Sequence, residues 1–107
     1  MAAYFCYVTA PSREQALAIG RTVVEERLAA CANVIDGGAS VYWWQGMLEE
    51  ASEAVLILKT RVELIERLTA RIEDLHPYEC PCVVALPIAA GNRGYIDWIA
   101  AETAAHP

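Results

Sequence analysis

Basic side chains are scarce in this chain: eight Lys and Arg stand against fourteen Asp and Glu, for a formal net charge of −6. Nucleic-acid binding needs a basic stripe that displaces counterions from phosphates. The few cations here are scattered among acids, so that class is excluded. No stretch approaches the roughly 18 continuous apolar residues of a membrane span. The opening Met1-Ala2-Ala3-Tyr4-Phe5 has no basic region and no small-residue cleavage site, and it runs straight into a strand pattern. We expect no signal peptide and a cytoplasmic protein. A phosphate-binding loop and a G-x-S-x-G turn are both missing. Histidine is limited to His76 and His106, the second in a tail expected to fray. No Ser/His/Asp set assembles and no nucleophile stands beside a base, so no enzymatic activity is expected.

What the chain does have is apolar surface. Its 107 residues are near the modal size of one domain, with 56% hydrophobic and 21% charged residues. That excess suits burial between subunits. The four cysteines, Cys6, Cys31, Cys80 and Cys82, are expected to be free, buried thiols.

Tyr4 to Thr9 is a β-rich apolar run ended by Pro11-Ser12. Ser12 and Gln15 form a capping box. Ala16, Leu17, Gly20, Val23, Val24 and Leu28 follow at helical spacing as the inward face of an amphipathic helix. Cys31 opens a second strand, which Asp36-Gly37-Gly38 should interrupt with a bulge. It resumes through Ser40 to Trp44, turns at Gln45-Gly46 and returns from Met47 towards Lys59. Met47 to Glu53 is expected to be exposed and Ala54 to Leu58 to be core. A second helix spans Arg61 to Leu75, with Leu64, Ile65, Leu68, Ile72 and Leu75 inward and a Glu63–Arg67 pair on its wet face. His76-Pro77 stops it. Val83 to Leu86 is a short strand closed by Pro87. Asn92 caps a last helix whose Tyr95, Ile96, Trp98 and Ile99 face inward.

The order is β-α-β-β-α-β plus a helix, which predicts an α+β, ferredoxin-like antiparallel sheet with both main helices on one face. The opposite face and the long hairpin would be bare, and bare apolar strands need a partner surface. Trp43 and Trp44 alternate across that hairpin and read as interface anchors, with stacking of a flat ligand the second reading.

Chemistry-bearing groups are densest at His76-Pro77-Tyr78-Glu79. There His76 either completes a helix end, where a cation suits the dipole, or holds a metal or proton. The spacing in Cys80-Pro81-Cys82 is shorter than the C-x₂₋₄-C of zinc sites. We expect these thiols to diverge and to serve packing. Lys59 closes an apolar run and is expected to meet a carboxylate or an anion at the sheet edge.

Glu26-Arg27-Leu28-Ala29-Ala30-Cys31-Ala32-Asn33, Ser40-Val41-Tyr42-Trp43-Trp44-Gln45-Gly46, Leu58-Lys59-Thr60, His76-Pro77-Tyr78-Glu79 and Ala85-Leu86-Pro87-Ile88 together resemble, in order and spacing, the CutA family of divalent-cation tolerance proteins. The resemblance covers essentially the whole chain. It implies a ferredoxin-like fold, a homotrimer similar to that of the PII signalling proteins, and a link to tolerance of copper and other divalent cations, with no catalysis. It also implies a trimer interface through Tyr42, Trp43 and Trp44, and an inter-subunit cleft with Lys59, Tyr78, Glu79 and Trp44. The alternative it offers is a PII-like sensor of a small anion in that cleft. Some members carry a cysteine before Thr-Ala-Pro and two histidines before Pro-Tyr. Here Val8, Leu75 and His76 occupy those places, so only His76 matches. Where an acidic residue often follows the second proline this chain has Cys82, which near His76 and Glu79 would suit copper(I).

Overall fold

Ser12 turns the chain from its first strand into its first helix, and it does so by capping. In the computed structural model, which describes residues 2–104, the Ser12 hydroxyl accepts from the Gln15 amide at 3.2 Å. This satisfies one of the N–H groups that helix geometry leaves unpaired. The elements in order are β1 (Ala3–Ala10), α1 (Arg13–Glu25), β2 (Cys31–Trp44), β3 (Met47–Arg61), α2 (Ile65–Leu75), β4 (Val83–Pro87) and α3 (Arg93–Glu102). His106 lies outside the described residues.

The four strands form one sheet in the order β2-β3-β1-β4, and every neighbouring pair is antiparallel. Side chains alternate across a strand, so the pairing assigns the faces. Cys6, Val8 and Ala10 of β1 lie beside Leu58, Leu56 and Ala54 of β3. These residues are buried under α1 and α2, with Ala16, Ile19, Val23, Leu68 and Ile72, in the main core. Gly20 lets α1 approach the sheet: a Cβ there would come within 2.9 Å of the Ala32 Cβ and 3.1 Å of Leu56 Cδ1.

The other face carries Tyr7, Ile57 and Asn33 in one row and Phe5, Lys59 and Cys31 in the next. Only α3 crosses its end, through a second small core of Ala3, Ala30 and Ile99 with Ile88 and Ile96 alongside. Ile35, Val84 and Leu86 stay exposed. The β2–β3 hairpin projects beyond the helices and stretches the molecule to 45 × 29 × 22 Å. Its turn is the two-residue Gln45-Gly46, with φ of 51° and 80°, the left-handed pair that matches strand twist.

Several expectations need correcting. Arg61 ends β3, and Val62–Leu64 form a 3₁₀ turn before α2 begins. Glu63 therefore lies in that turn rather than in the α-helix, and the expected Glu63–Arg67 pair is not formed. The ion pairs among the described residues are Arg27–Glu102 at 2.6 Å and Arg71–Glu26 at 2.9 Å, and both join separate elements. Leu17 points outward, because the buried stripe of α1 runs through Ala16, Ile19, Gly20 and Val23. Tyr95 and Trp98 are also exposed, since α3 meets the sheet only along its Ile96–Ile99 seam. Cys6 is the one fully buried thiol; Cys31 is half-buried, and Cys80 and Cys82 are exposed.

Candidate functional site

The bulge in β2 decides which hairpin side chains reach the open face. Ile35 pairs with Val55 and Gly38 with Glu53, so β2 advances three residues while β3 advances two. One extra residue reverses the alternation. Ser40, Tyr42 and Trp44 thereby share a face with Glu53, while Val41 and Trp43 turn to the other. Gly38 is required at the return to pairing, because a Cβ there would lie 2.7 Å from the Glu53 carbonyl oxygen.

On that face a cavity of about 670 Å³ lies between the base of the hairpin and the segment that follows α2. Tyr7 and Thr9 form its floor. Tyr42, Trp44 and Glu53 line one side, and Tyr78, Glu79, Cys80 and Cys82 line the other. No lysine or arginine contributes to its wall. Glu53, expected to be exposed, is only 8% exposed, and one of its carboxylate oxygens accepts from the Tyr78 hydroxyl at 2.8 Å. Burial, that bond and the Glu53 charge push the Tyr78 phenol up to about 12. Burial, and then the charge of Glu53, also hold the Cys82 thiol above its ordinary value.

His76 supports this wall from behind. Its Nε2 lies 2.7 Å from the Thr9 carbonyl oxygen, which can only accept, so Nε2 carries the proton and donates. Nδ1 accepts from the Tyr78 amide at 3.1 Å. Both nitrogens are committed and the ring is buried, so His76 pins the Tyr78 segment to β1. His76 also completes α2 as expected, since it is the C-cap residue and its amide donates to the Ile72 carbonyl oxygen at 2.9 Å, but its ring offers no lone pair to a metal within the subunit. Among the described residues no three His, Cys, Asp or Glu side chains converge as a metal cluster.

The structure thus brings Tyr42, Trp44, Tyr78, Glu79 and Cys82 together, as the sequence reading grouped most of them. It separates two others. Trp43 is on the opposite face of the hairpin and 73% exposed. Lys59 points to the end of the sheet that α3 covers, where its Nζ donates to Asn33 Oδ1 and lies 5.8 Å from the Tyr95 ring centroid. It does not line the cavity of its own subunit. The Tyr95 hydroxyl in turn lies 3.3 Å from the Cys31 sulfur. Cys80 and Cys82 are both exposed, and both residues contribute to the cavity wall. Sequence reading missed Glu53, Tyr7, Thr9 and Cys80. Glu53 could have been found by alternation, since it shares its parity in β3 with Val55 and Ile57 and not with the core residues Ala54 and Leu56.

The profile of the family described as CutA1 divalent ion tolerance protein matches residues 4–102. The chain is 48% identical over 96 residues to the divalent-cation tolerance protein CutA of Thermus thermophilus, covering 90% of this chain and 93% of that one. It is 44% identical over 93 residues to the human protein CutA, covering 87% of this chain and 52% of that one. It likewise spans about half the length of the rice and Arabidopsis chloroplastic relatives, 55% and 53%. Among solved structures, CutA1 from Oryza sativa superposes with a TM-score of 0.93 at 38% identity, covering 97% of this chain and 95% of that one. The periplasmic divalent cation tolerance protein CutA from Archaeoglobus fulgidus superposes at 0.92 and 37% identity, covering 95% and 99%. With the profile spanning nearly all of the chain and the fold matching over its full extent, the chain belongs to the CutA1 divalent ion tolerance family.

Proposed function

We propose that the chain is a homotrimeric binding and regulatory module in the response to divalent metal ions, copper among them, with no chemical step of its own. One observation carries the reading: the cavity is walled by carboxylate, phenol and thiol groups with no cation among them. Such a wall attracts a metal cation and repels an anion. The uncovered sheet face and the exposed Trp43 arm support assembly, since a second and third copy would cover both. No group in the cavity is poised as a nucleophile beside a free base, because the Tyr78 hydroxyl donates to Glu53 and both His76 nitrogens are bound. Four free cysteines fit a reducing, cytoplasmic setting, and among the described residues no helix is long and apolar enough to cross a membrane.

Light scattering is expected to give three times the subunit mass. Thermal unfolding is expected to shift upward with Mn²⁺ or Cu²⁺, and the shift should shrink in Glu53→Gln and Glu79→Gln. A monomer, or a melting temperature indifferent to every divalent ion, would refute the proposal. Stabilisation by phosphate that Lys59→Ala removes would instead point to the small-anion sensor, with a neighbouring subunit bringing Lys59 to the cleft.

A further inference from the structure

A bare metal ion would leave most of the cavity empty. Its volume of about 670 Å³ falls within the range of about 300–1,000 Å³ typical of small-molecule pockets, and Tyr7, Tyr42, Trp44 and Tyr78 give it an aromatic wall. Glu53 and Glu79 share that wall, and no Lys or Arg does. We propose that the cavity binds a linear aliphatic polyamine, with its ammonium groups on the carboxylates and its methylene chain along the aromatic rings. The inference goes beyond the metal reading and does not depend on it.

Glu53 supplies the anchor. It is buried, and among the described residues only the Tyr78 hydroxyl donates to its carboxylate, to one oxygen, at 2.8 Å. The other oxygen is left for a ligand. Gly38 pairs with Glu53 and brings no side chain to cover it. A carboxylate so placed is desolvated without a full set of partners, and a positively charged N–H donor would complete it. Tyr78 keeps its proton, because burial, the bond to Glu53 and the Glu53 charge raise the phenol to about 12, with the Tyr42 phenol adding to the rise. Tyr78 therefore holds the carboxylate in place at neutral pH, and His76 holds the Tyr78 amide in turn.

Three features select a polyamine from among cations. A hard metal ion needs several donors converging on one point, and among the described residues no three His, Cys, Asp or Glu side chains do so. Aromatic faces attract ammonium groups through the ring quadrupole and also cover methylene groups, so one wall serves both parts of the ligand. The wall is also long. Ser40, Tyr42 and Trp44 occupy alternate positions of β2, and at about 3.4 Å per residue Trp44 stands about 20 Å along the strand from Gly38, the residue opposite Glu53. A compact monoamine would span little of that length, whereas an extended chain with several charges follows it. The formal net charge of −6 raises the local concentration of any polycation.

The test is isothermal titration calorimetry of the full chain at physiological ionic strength, with spermidine as the probe and putrescine as the shorter diamine. Saturable binding of one spermidine per chain is expected, and weaker binding of putrescine. Glu53→Gln keeps an acceptor for Tyr78 and should weaken spermidine by about tenfold, the loss of one charge-assisted hydrogen bond. Trp44→Leu should weaken it by about threefold. Glu66→Gln removes the same charge from an exposed position on α2, outside the cavity, and should change the affinity by less than about twofold. As a check that needs no variant, saturation of the aromatic protons of the wild-type protein should transfer to the spermidine methylenes in NMR. Absence of saturable binding, equal losses in Glu53→Gln and Glu66→Gln, or no transfer from aromatic protons overturns the inference. Mn²⁺ is titrated separately: stabilisation by Mn²⁺ without spermidine binding removes the polyamine and leaves the metal reading, and spermidine binding without any response to divalent ions does the reverse.

Discussion

Replacing Tyr78 with Phe removes a single hydroxyl, and the structure indicates where the cost arises. The Glu53 carboxylate is 8% exposed and accepts the Tyr78 proton at 2.8 Å. A hydrogen bond to a charged acceptor contributes about 1.5–3 kcal/mol, and an orphaned buried acceptor loses a similar amount. The cavity is open, however, so water can replace part of the lost donor. We therefore expect Tyr78→Phe to cost about 1–2 kcal/mol at pH 7, by urea unfolding at fixed subunit concentration. Glu53→Gln keeps an acceptor and should cost less. The double-mutant cycle should show coupling of about 1 kcal/mol, since the two side chains touch. The pH dependence gives an independent arm. The Tyr78 phenol is raised from 10 to about 12 in the folded chain, so the folded state binds more protons than the unfolded one between those values. Its contribution is complete below pH 10 and is lost as pH rises towards 12. The alkaline loss of stability should accordingly be shallower in Tyr78→Phe. A variant within about 0.3 kcal/mol of wild type, or strictly additive single mutants, would refute the reasoning.

Gly20→Ala should destabilise the protein by about 1–3 kcal/mol in chemical unfolding, because the new Cβ would press on the Ala32 Cβ at 2.9 Å. In thiol titration of the native protein at pH 8, Cys6 should stay unreactive and the exposed Cys80 should react. Burial pushes the Cys6 thiol up to about 11, and only the thiolate attacks. Trp43→Ala removes a side chain that is largely exposed in one subunit, so the fold of the subunit should be nearly unaffected. Sedimentation should nonetheless show weaker assembly, by about 2 kcal/mol or more if the indole is an interface anchor. Unchanged assembly would remove Trp43 from the interface.

Most of the fold was legible because local signals and burial agreed. The Ser12 cap, the Gln45-Gly46 turn and the His76-Pro77 stop each mark an element boundary seen in the structure. The failures fall where tertiary contact overrode periodicity. Tyr95 and Trp98 look like core residues by composition, yet α3 touches the sheet along one narrow seam and leaves both outside. Leu17 has an apolar side chain at a position one step off the buried stripe. Glu63 and Arg67 have the right spacing, but the helix that would align them starts after Glu63.

The site was less legible because it depends on parity, which composition does not carry. Asp36-Gly37-Gly38 was read as an interruption, but its consequence is directional. One inserted residue moves Tyr42 and Trp44, rather than Val41 and Trp43, to the face that holds Glu53. The same parity explains how a hairpin can serve two purposes at once. Its Trp44 face, 39% exposed, closes one side of the cavity, while Trp43 at 73% is left for a neighbouring molecule. A regular strand would put Trp43 on the face that holds Glu53 and point Trp44 away, exchanging a lining residue for an interface residue. The bulge, more than any single side chain, is therefore what couples the proposed binding cavity to the proposed assembly surface. A ligand that shifts the cavity wall against Trp44 acts on β2, the strand that also carries Trp43.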